Sequence, residues 1–458
     1  MYRREQRVIH FVGIGGIGMS GIAEVLLTLG YRVSGSDLRE SPLTQRLAGL
    51  GARVAQGHAP ENLGDASVVV TSSAVRADNP EVIEAHRRLL PVIPRAEMLA
   101  ELMRMKYSVA VAGAHGKTTT TSLVAAVLSE AGLDPTVVVG GRLSGLGSNA
   151  RLGQGEFLVA EADESDGSFL VLFPTLAVLT NIDREHMEHY GTEDALETAF
   201  VDFANKVPFY GAVVACLDDP RVQAVLPRIR KRILTYGLSA QADVSARHLR
   251  SEGGTSRFEV LVRGEPQVEV TLNLPGEHNV LNALAAAAVG TELEVDPERI
   301  ARALSGFSGV DRRSQLVGEA RGIRVMDDYA HHPSELQATL RGLREAYGRR
   351  LVAVFQPHRY SRTLDLFERF LTAFYGADVL VVTEVYPAGE TPLPGATGTA
   401  LVEGIRLHGH KDVELVADLA RVPELLEHRL QEGDLVVTLG AGNVWQAGEA
   451  LLRRLRGD

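Results

Sequence analysis

The chain has 458 residues, 45% hydrophobic and 23% charged, the composition of a soluble globular protein with about two to four domains. A formal net charge of −11 excludes a general affinity for nucleic acid, which needs a basic surface, but leaves room for a local basic pocket. The single cysteine, Cys216, excludes an intrachain disulfide, and no apolar run reaches membrane-spanning length. A reducing cytoplasmic location without a membrane partner is therefore expected. The charged start, Met1 to Gln6, lacks the apolar stretch of a signal peptide.

In chain order, residues 7–12 form an apolar strand that runs into Gly13-Ile14-Gly15-Gly16-Ile17-Gly18. The spacing predicts a helix over about 19–29 and a second strand over 31–36, ending at Asp37. This is a βαβ opening with a G-x-G-x-x-G turn and an acid about twenty positions on. Further strands are expected at 53–55, 67–71 and 91–93, closing a first domain, 1–105. A second strand–turn–helix unit follows: 107–112, then Gly113-Ala114-His115-Gly116-Lys117-Thr118-Thr119, then a helix to about Ala131. Strands are expected at 136–139, 156–160, 176–180 and 212–217, the last holding Cys216 in the core. Between 242 and 274 the pattern alternates and is broken by Gly253-Gly254 and Gly264, which predicts a small antiparallel insertion. An alanine-rich helix covers about 279–289. A third section starts at Arg312, with strands at 323–326, 351–355, 379–382 and 435–438. The expected architecture is α/β: a Rossmann-like domain (1–105), a P-loop ATPase-like domain with the insertion (106–311) and a second Rossmann-like domain (312–458).

The two glycine loops invite different ligands. Backbone N–H groups at a helix N-terminus hold phosphate, a lysine there neutralises the terminal charge, and the following hydroxyl can ligate Mg²⁺. The second loop has only Ala114 and His115 between Gly113 and Gly116-Lys117, two residues short of the general P-loop spacing. A nicotinamide dehydrogenase explains the first loop but leaves Lys117 and Thr118 without a task. A kinase or ligase explains the second and lets the first hold another diphosphate. Acids and imidazoles follow in Glu161-Ala162-Asp163-Glu164-Ser165-Asp166 and Asn181-Ile182-Asp183-Arg184-Glu185-His186, both placed at strand ends, where open α/β sheets put ligand crevices. Carboxylates there can hold hydrated Mg²⁺; His186 is an unusual ligand for an ion that prefers oxygen.

These motifs, with Gly276-Glu277-His278-Asn279-Val280-Leu281-Asn282, resemble those of the Mur ligase family across essentially the whole chain. The segments starting at His10, Asp327-Asp328-Tyr329-Ala330-His331-His332 and Gln356-Pro357-His358-Arg359-Tyr360-Ser361-Arg362 are similar to the branch that adds L-alanine to UDP-N-acetylmuramate. The resemblance implies ATP as co-substrate and two Mg²⁺ ions, with Thr118 and Glu161 on one and Glu161 and His186 on the other. It implies ATP contacts from Gly113, Ala114, His115, Gly116, Lys117, Thr118, Thr119, Asn279, Arg312 and Asp328. Lys117, His331 and Arg359 are the implied catalytic residues, and Tyr329, Arg359 and Arg362 the alanine site. Gly15, Gly16, Ile17, Gly18, Met19 and Ser20 would cradle the UDP diphosphate, while Asp37, His58, Ser72 and Ser73 would line the uridine and sugar. His278 and Asn282 are read as structural. Lys206 is the nearest lysine after His186 but is not assigned to the metal. A monomer or homodimer is expected. A ligase adding a preformed tripeptide to the same acceptor and, in another class, an NAD-dependent dehydrogenase remain the alternatives.

Overall fold

The computed structural model describes residues 7–72, 74–139 and 150–457, the side chain of Ile17 apart; Ser73 lies outside the described residues. Three sheets organise the chain. The first is a five-stranded parallel sheet in the order β3-β2-β1-β4-β5, from β1 (Val8–Val12), β2 (Arg32–Asp37), β3 (Arg53–Gln56), β4 (Ala66–Thr71) and β5 (Val92–Pro94). All five residues of β1 are buried, as helices on both faces of a parallel sheet require. The strand order reverses at β1, between β2 and β4, so the loop after β1 opens at the crevice where such sheets bind ligands.

The second sheet has ten strands: β6 (Tyr107–Ala112), β7 (Thr136–Val138), β8 (Ala150–Arg151), β9 (Phe157–Glu161), β10 (Leu176–Leu179), β11 (Ala212–Cys216), β12 (Ile233–Gly237), β13 (Val244–Glu252), β14 (Thr255–Val262) and β15 (Glu265–Leu272). Their order is β15-β14-β13-β12-β11-β10-β6-β9-β7-β8. β6 is central, flanked in parallel by β10 and β9. Its buried run Val109–Ala112 has no polar side chain, and the loop 113–116 grows directly from its end. The alternating 242–274 region forms β13 to β15.

The third sheet is β16-β17-β21-β18-β19-β20, from β16 (Gln315–Ala320), β17 (Ile323–Asp328), β18 (Leu351–Phe355), β19 (Val379–Val382), β20 (Val413–Leu415) and β21 (Leu435–Leu439). Only β16 is antiparallel to its neighbour. The sequence pattern missed β8, β12, β16 and β20. β8 and β20 are only two and three residues long, and β16 is an edge strand whose first residues are exposed, so none carries a buried apolar run. The alanine-rich helix spans Glu277–Glu292, longer than the sequence suggested.

The chain divides into two compact units. Residues 1–247, 259–270 and 281–307 form the first; 248–258, 271–280 and 308–458 form the second. No helix among the described residues is long and apolar enough to cross a membrane.

Candidate active site

In the first unit, the loop after β1 turns through Gly13 (φ 78°) into the helix Ile17–Thr28, whose N-cap, Gly16, has no side-chain partner. Gly15 N–H donates to Asp37 Oδ2 at 2.9 Å, so Asp37 shapes the loop from the end of β2. A side chain on Gly15 would collide with that carboxylate. Met19 and Ser20 are buried, leaving the backbone of Gly15, Gly16 and Gly18 as the loop's accessible part. Ser72 is partly exposed past the end of β4. His58 rests on a buried network that sequence reading did not assign. Ser36 Oγ donates to Glu81 Oε2 at 2.6 Å, so the 2.9 Å contact between Ser36 Oγ and His58 Nδ1 needs the ring to donate. That places the lone pair of neutral His58 on Nε2. Glu81 is fully buried and also accepts from His10 and Asn62. Burial works against its charge, yet these donors hold its pKa below the usual carboxylate value.

The second loop is built just as tightly. Gly113 has φ 144°, and a Cβ there would lie 2.0 Å from Thr180 Oγ1. Thr180 Oγ1 and Asn181 Nδ2 donate to the His115 carbonyl at 2.8 and 3.0 Å, while Asn181 Oδ1 accepts His115 N–H at 2.8 Å. His115 Nε2 pairs with Asp183 Oδ2 at 3.0 Å. The segment after β10 therefore latches the loop, a role that Asn181 and Asp183 had not been given. Gly116 (φ 79°) caps the helix Lys117–Glu130, and a side chain on it would strike the Asn282 amide. Asn282 also accepts from buried Thr120 at 3.1 Å. Ala114, His115, Lys117 and Thr118 are partly exposed at the loop; Thr119 faces the core.

Lys117 Nζ donates to Gly113 O at 2.6 Å, Ala114 O at 3.1 Å and Glu164 Oε1 at 2.8 Å. Burial disfavours the Lys117 charge, but Glu164 outweighs it and its pKa rises. Burial pushes the Glu164 carboxyl up to about 7 against the pull of Lys117. Glu164 Oε2 is buried with no hydrogen-bond partner among the described residues.

Glu161 is the last residue of β9, paired in register with Val111 of β6. His186 sits at φ 58°, a left-handed conformation costly for a side chain with a Cβ. Glu164, Glu185 and His186 gather ligand atoms within 4.8 Å of one another. Two carboxylates and an imidazole, one carboxylate oxygen lacking a donor, suit a divalent cation that completes its shell with water and phosphate oxygen. Glu164 and Glu185 were legible in the motifs but unassigned. Lys206 is committed elsewhere, donating to Leu170 O and lying 4.8 Å from the Phe173 ring.

In the second unit, Asn279 is buried and its amide donates to Pro275 O at 2.8 Å. Arg312 (φ 60°) donates from Nε to Asp327, from Nη2 to Gly440 O and from Nη1 to Gly442 O, with its guanidinium 5.0 Å from the Tyr329 ring. These internal bonds engage three of its five donors. Asp328 is 4% exposed and accepts from Ser314 N, Ser314 Oγ and Ala330 N. These bonds make Asp328 an organiser of the loop after β17. His331 Nδ1 lies 3.0 Å from Tyr329 O, which can only accept, so Nδ1 carries a proton. His331 and His358 rings lie 6.1 Å apart, His358 stacks on Tyr386, and Arg362 Nη1 is 3.2 Å from His358 Nδ1. Arg359 is exposed with φ 69°. Tyr329, His331, Arg362 and the unassigned His358 thus form one cationic, aromatic corner. Burial, then neighbouring His331 and Arg362, drives the His358 pKa down to about 4.

Three successive stretches match family domains: residues 8–107 the Mur ligase family catalytic domain, 111–290 the Mur ligase middle domain, and 312–442 the Mur ligase glutamate ligase domain. The chain belongs to the Mur ligase family. It is 62% identical over 450 residues to the UDP-N-acetylmuramate–L-alanine ligase of Syntrophotalea carbinolica, covering 98% of both chains. Its structure is similar to that of the UDP-N-acetylmuramate–alanine ligase MurC of Thermotoga maritima, with a TM-score of 0.81, 30% identity and 98% and 99% of the two chains covered. Similarity to a murein peptide ligase of Psychrobacter arcticus is lower, with a TM-score of 0.68 and 25% identity over 98% of each. As a Mur ligase, the chain uses its first glycine loop within a ligase and not a dehydrogenase.

Proposed function

We propose that the chain is an ATP-dependent ligase joining the amine of L-alanine to the lactoyl carboxylate of UDP-N-acetylmuramate, the first peptide step of peptidoglycan-precursor synthesis. The observation that carries this reading is full-length 62% identity to a ligase named for those substrates, on a chain holding two differently built phosphate loops. A carboxylate is a poor electrophile because its oxide is a strongly basic leaving group. Phosphorylation by ATP gives an acyl phosphate, which the amine attacks, expelling phosphate.

In this reading Lys117 leaves Glu164 for the transferred phosphoryl group and offsets its charge. Thr118, Glu161 and His186 would hold Mg²⁺, with Glu164 and Glu185 beside His186 in reach of the same ion. Bound there, Mg²⁺ supplies charge neutralisation on the phosphate oxygens. Residues 1–105 hold the UDP-sugar, 106–311 bind ATP, and 312–458 contribute Arg312, Asp328 and the alanine corner. Asn279 reads adenine. Arg359 and Arg362 suit the alanine carboxylate, because a guanidinium fork matches it. His331, its Nδ1 turned to the Tyr329 carbonyl, lies in the same corner and is the residue read as catalytic for the attack of the amine. The setting is cytoplasmic, and the protein acts as a monomer or homodimer.

A coupled ADP-release assay with UDP-N-acetylmuramate tests the reading. ADP should form with L-alanine and not with a preformed tripeptide; release with the tripeptide alone would assign the chain to the recycling reaction.

A further inference from the structure

Arg95 opens the helix Arg95–Met103, and no motif singled it out. Its guanidinium lies across the first turn of the helix Ile17–Thr28. A Cβ built on Gly18 would fall 2.0 Å from Nη1 and 3.0 Å from Cζ, so the glycine makes room for the arginine. Nη2 reaches Asp163 Oδ2 at 3.5 Å, long for a charge-assisted bond, and both side chains remain partly exposed. Gly18, Arg95, Glu161, Asp163 and Ser168 line one cleft. The next residue, Glu164, accepts from Lys117 Nζ at 2.8 Å, so Asp163 lies one position from the lysine's own partner. A single carboxylate position is thus bracketed by the cation of the second phosphate loop and by an arginine lying on the first.

We infer that Arg95 receives the carboxylate of the acceptor substrate and aims it at the phosphoryl group held by Lys117, with Asp163 occupying that place on the guanidinium until the substrate arrives. The geometry suits the task. The pair with Asp163 is loose enough to be exchanged, and arginine stays charged and presents a planar fork to a carboxylate. This rests on the reading of residues 13–20 as the UDP-sugar loop.

Calorimetric titration separates the possibilities, using UDP-N-acetylmuramate and UDP-N-acetylglucosamine, which share the nucleotide and sugar but differ in the lactoyl carboxylate. Arg95→Ala should weaken binding of the first by about 10- to 100-fold and leave the second within twofold. Equal losses for both would place Arg95 on the diphosphate, and no loss for either would make it a purely structural contact; each overturns the inference. Arg95→Lys keeps the charge without the fork and guards against misfolding of the alanine variant. It should raise KM for UDP-N-acetylmuramate severalfold while KM for ATP and L-alanine stays unchanged. Failure of the wild-type chain to bind either nucleotide sugar would instead remove the loop reading on which the inference stands.

Discussion

The Lys117 ammonium lies 2.8 Å from Glu164 Oε1 while also bonded to two carbonyls of its own loop. The lysine is therefore parked on an internal carboxylate, and in the proposed function ATP must compete for it. Glu164→Gln should tighten binding of metal-free ATP by about 3- to 10-fold, since the competing charge is removed. Turnover with Mg²⁺ should fall, because the same side chain borders His186. Titration of ATP in chelator, followed by steady-state kinetics, reads both effects. Lys117→Ala should lower kcat by at least about 10²-fold.

The latch between Asn181 and His115 can be tested by stability. Asn181→Ala strands the His115 N–H and removes a donor from its carbonyl, which should cost about 1–3 kcal/mol in urea unfolding and raise KM for ATP. Gly113→Ala should be worse, because φ 144° and the approach of Thr180 leave no space for a methyl group.

Much of this was legible in the sequence, for identifiable reasons. Strands such as β1, β6 and β18 are buried on both faces, so their apolar runs stand out against the polar turns around them. The glycines at 13, 113 and 116 stood out because their positive-φ backbone conformations favour glycine. What escaped notice works through long-range contact. Asn181 lies 66 positions from His115, and Glu81 lies 45 from Ser36, so no local spacing joins them. Arg95 is an ordinary helix-start arginine until the fold brings Gly18 and Asp163 to it. Arg312 and Asp328 were identifiable as important, but not as residues already bonded to other loops, Arg312 to Gly440 O and Asp328 to Ser314 N.

The buried network beneath His58 should behave as a unit. Glu81→Ala leaves His10, Ser36 and Asn62 without their common acceptor, and breaking such a buried cluster should cost about 3–5 kcal/mol. His58→Ala, at a partly exposed ring, should cost far less stability and show instead as a higher KM for the UDP-sugar. Parallel denaturation and kinetics on the two variants check the difference.

Acid should weaken the second unit through two histidines. Burial and Arg313 lower the His278 pKa to about 4, and His358 is lowered to about 4 as well. Below the ordinary value of 6.5 the unfolded chain takes up protons that the folded chain refuses, so stability present above pH 6.5 is lost as pH falls toward 4. Thermal unfolding between those pH values should show a falling midpoint, and the slope should be shallower in His278→Asn. An unchanged slope would mean that His278 titrates normally.

The fate of one oxygen atom tests the central chemistry most directly. UDP-N-acetylmuramate labelled with heavy oxygen in its lactoyl carboxylate is incubated with ATP, Mg²⁺ and L-alanine, and the phosphate released is analysed by mass spectrometry. Activation of the carboxylate as an acyl phosphate carries one labelled oxygen into each phosphate, in step with L-alanyl product, and Lys117→Ala suppresses both. Product formation with unlabelled phosphate would contradict the acyl phosphate route.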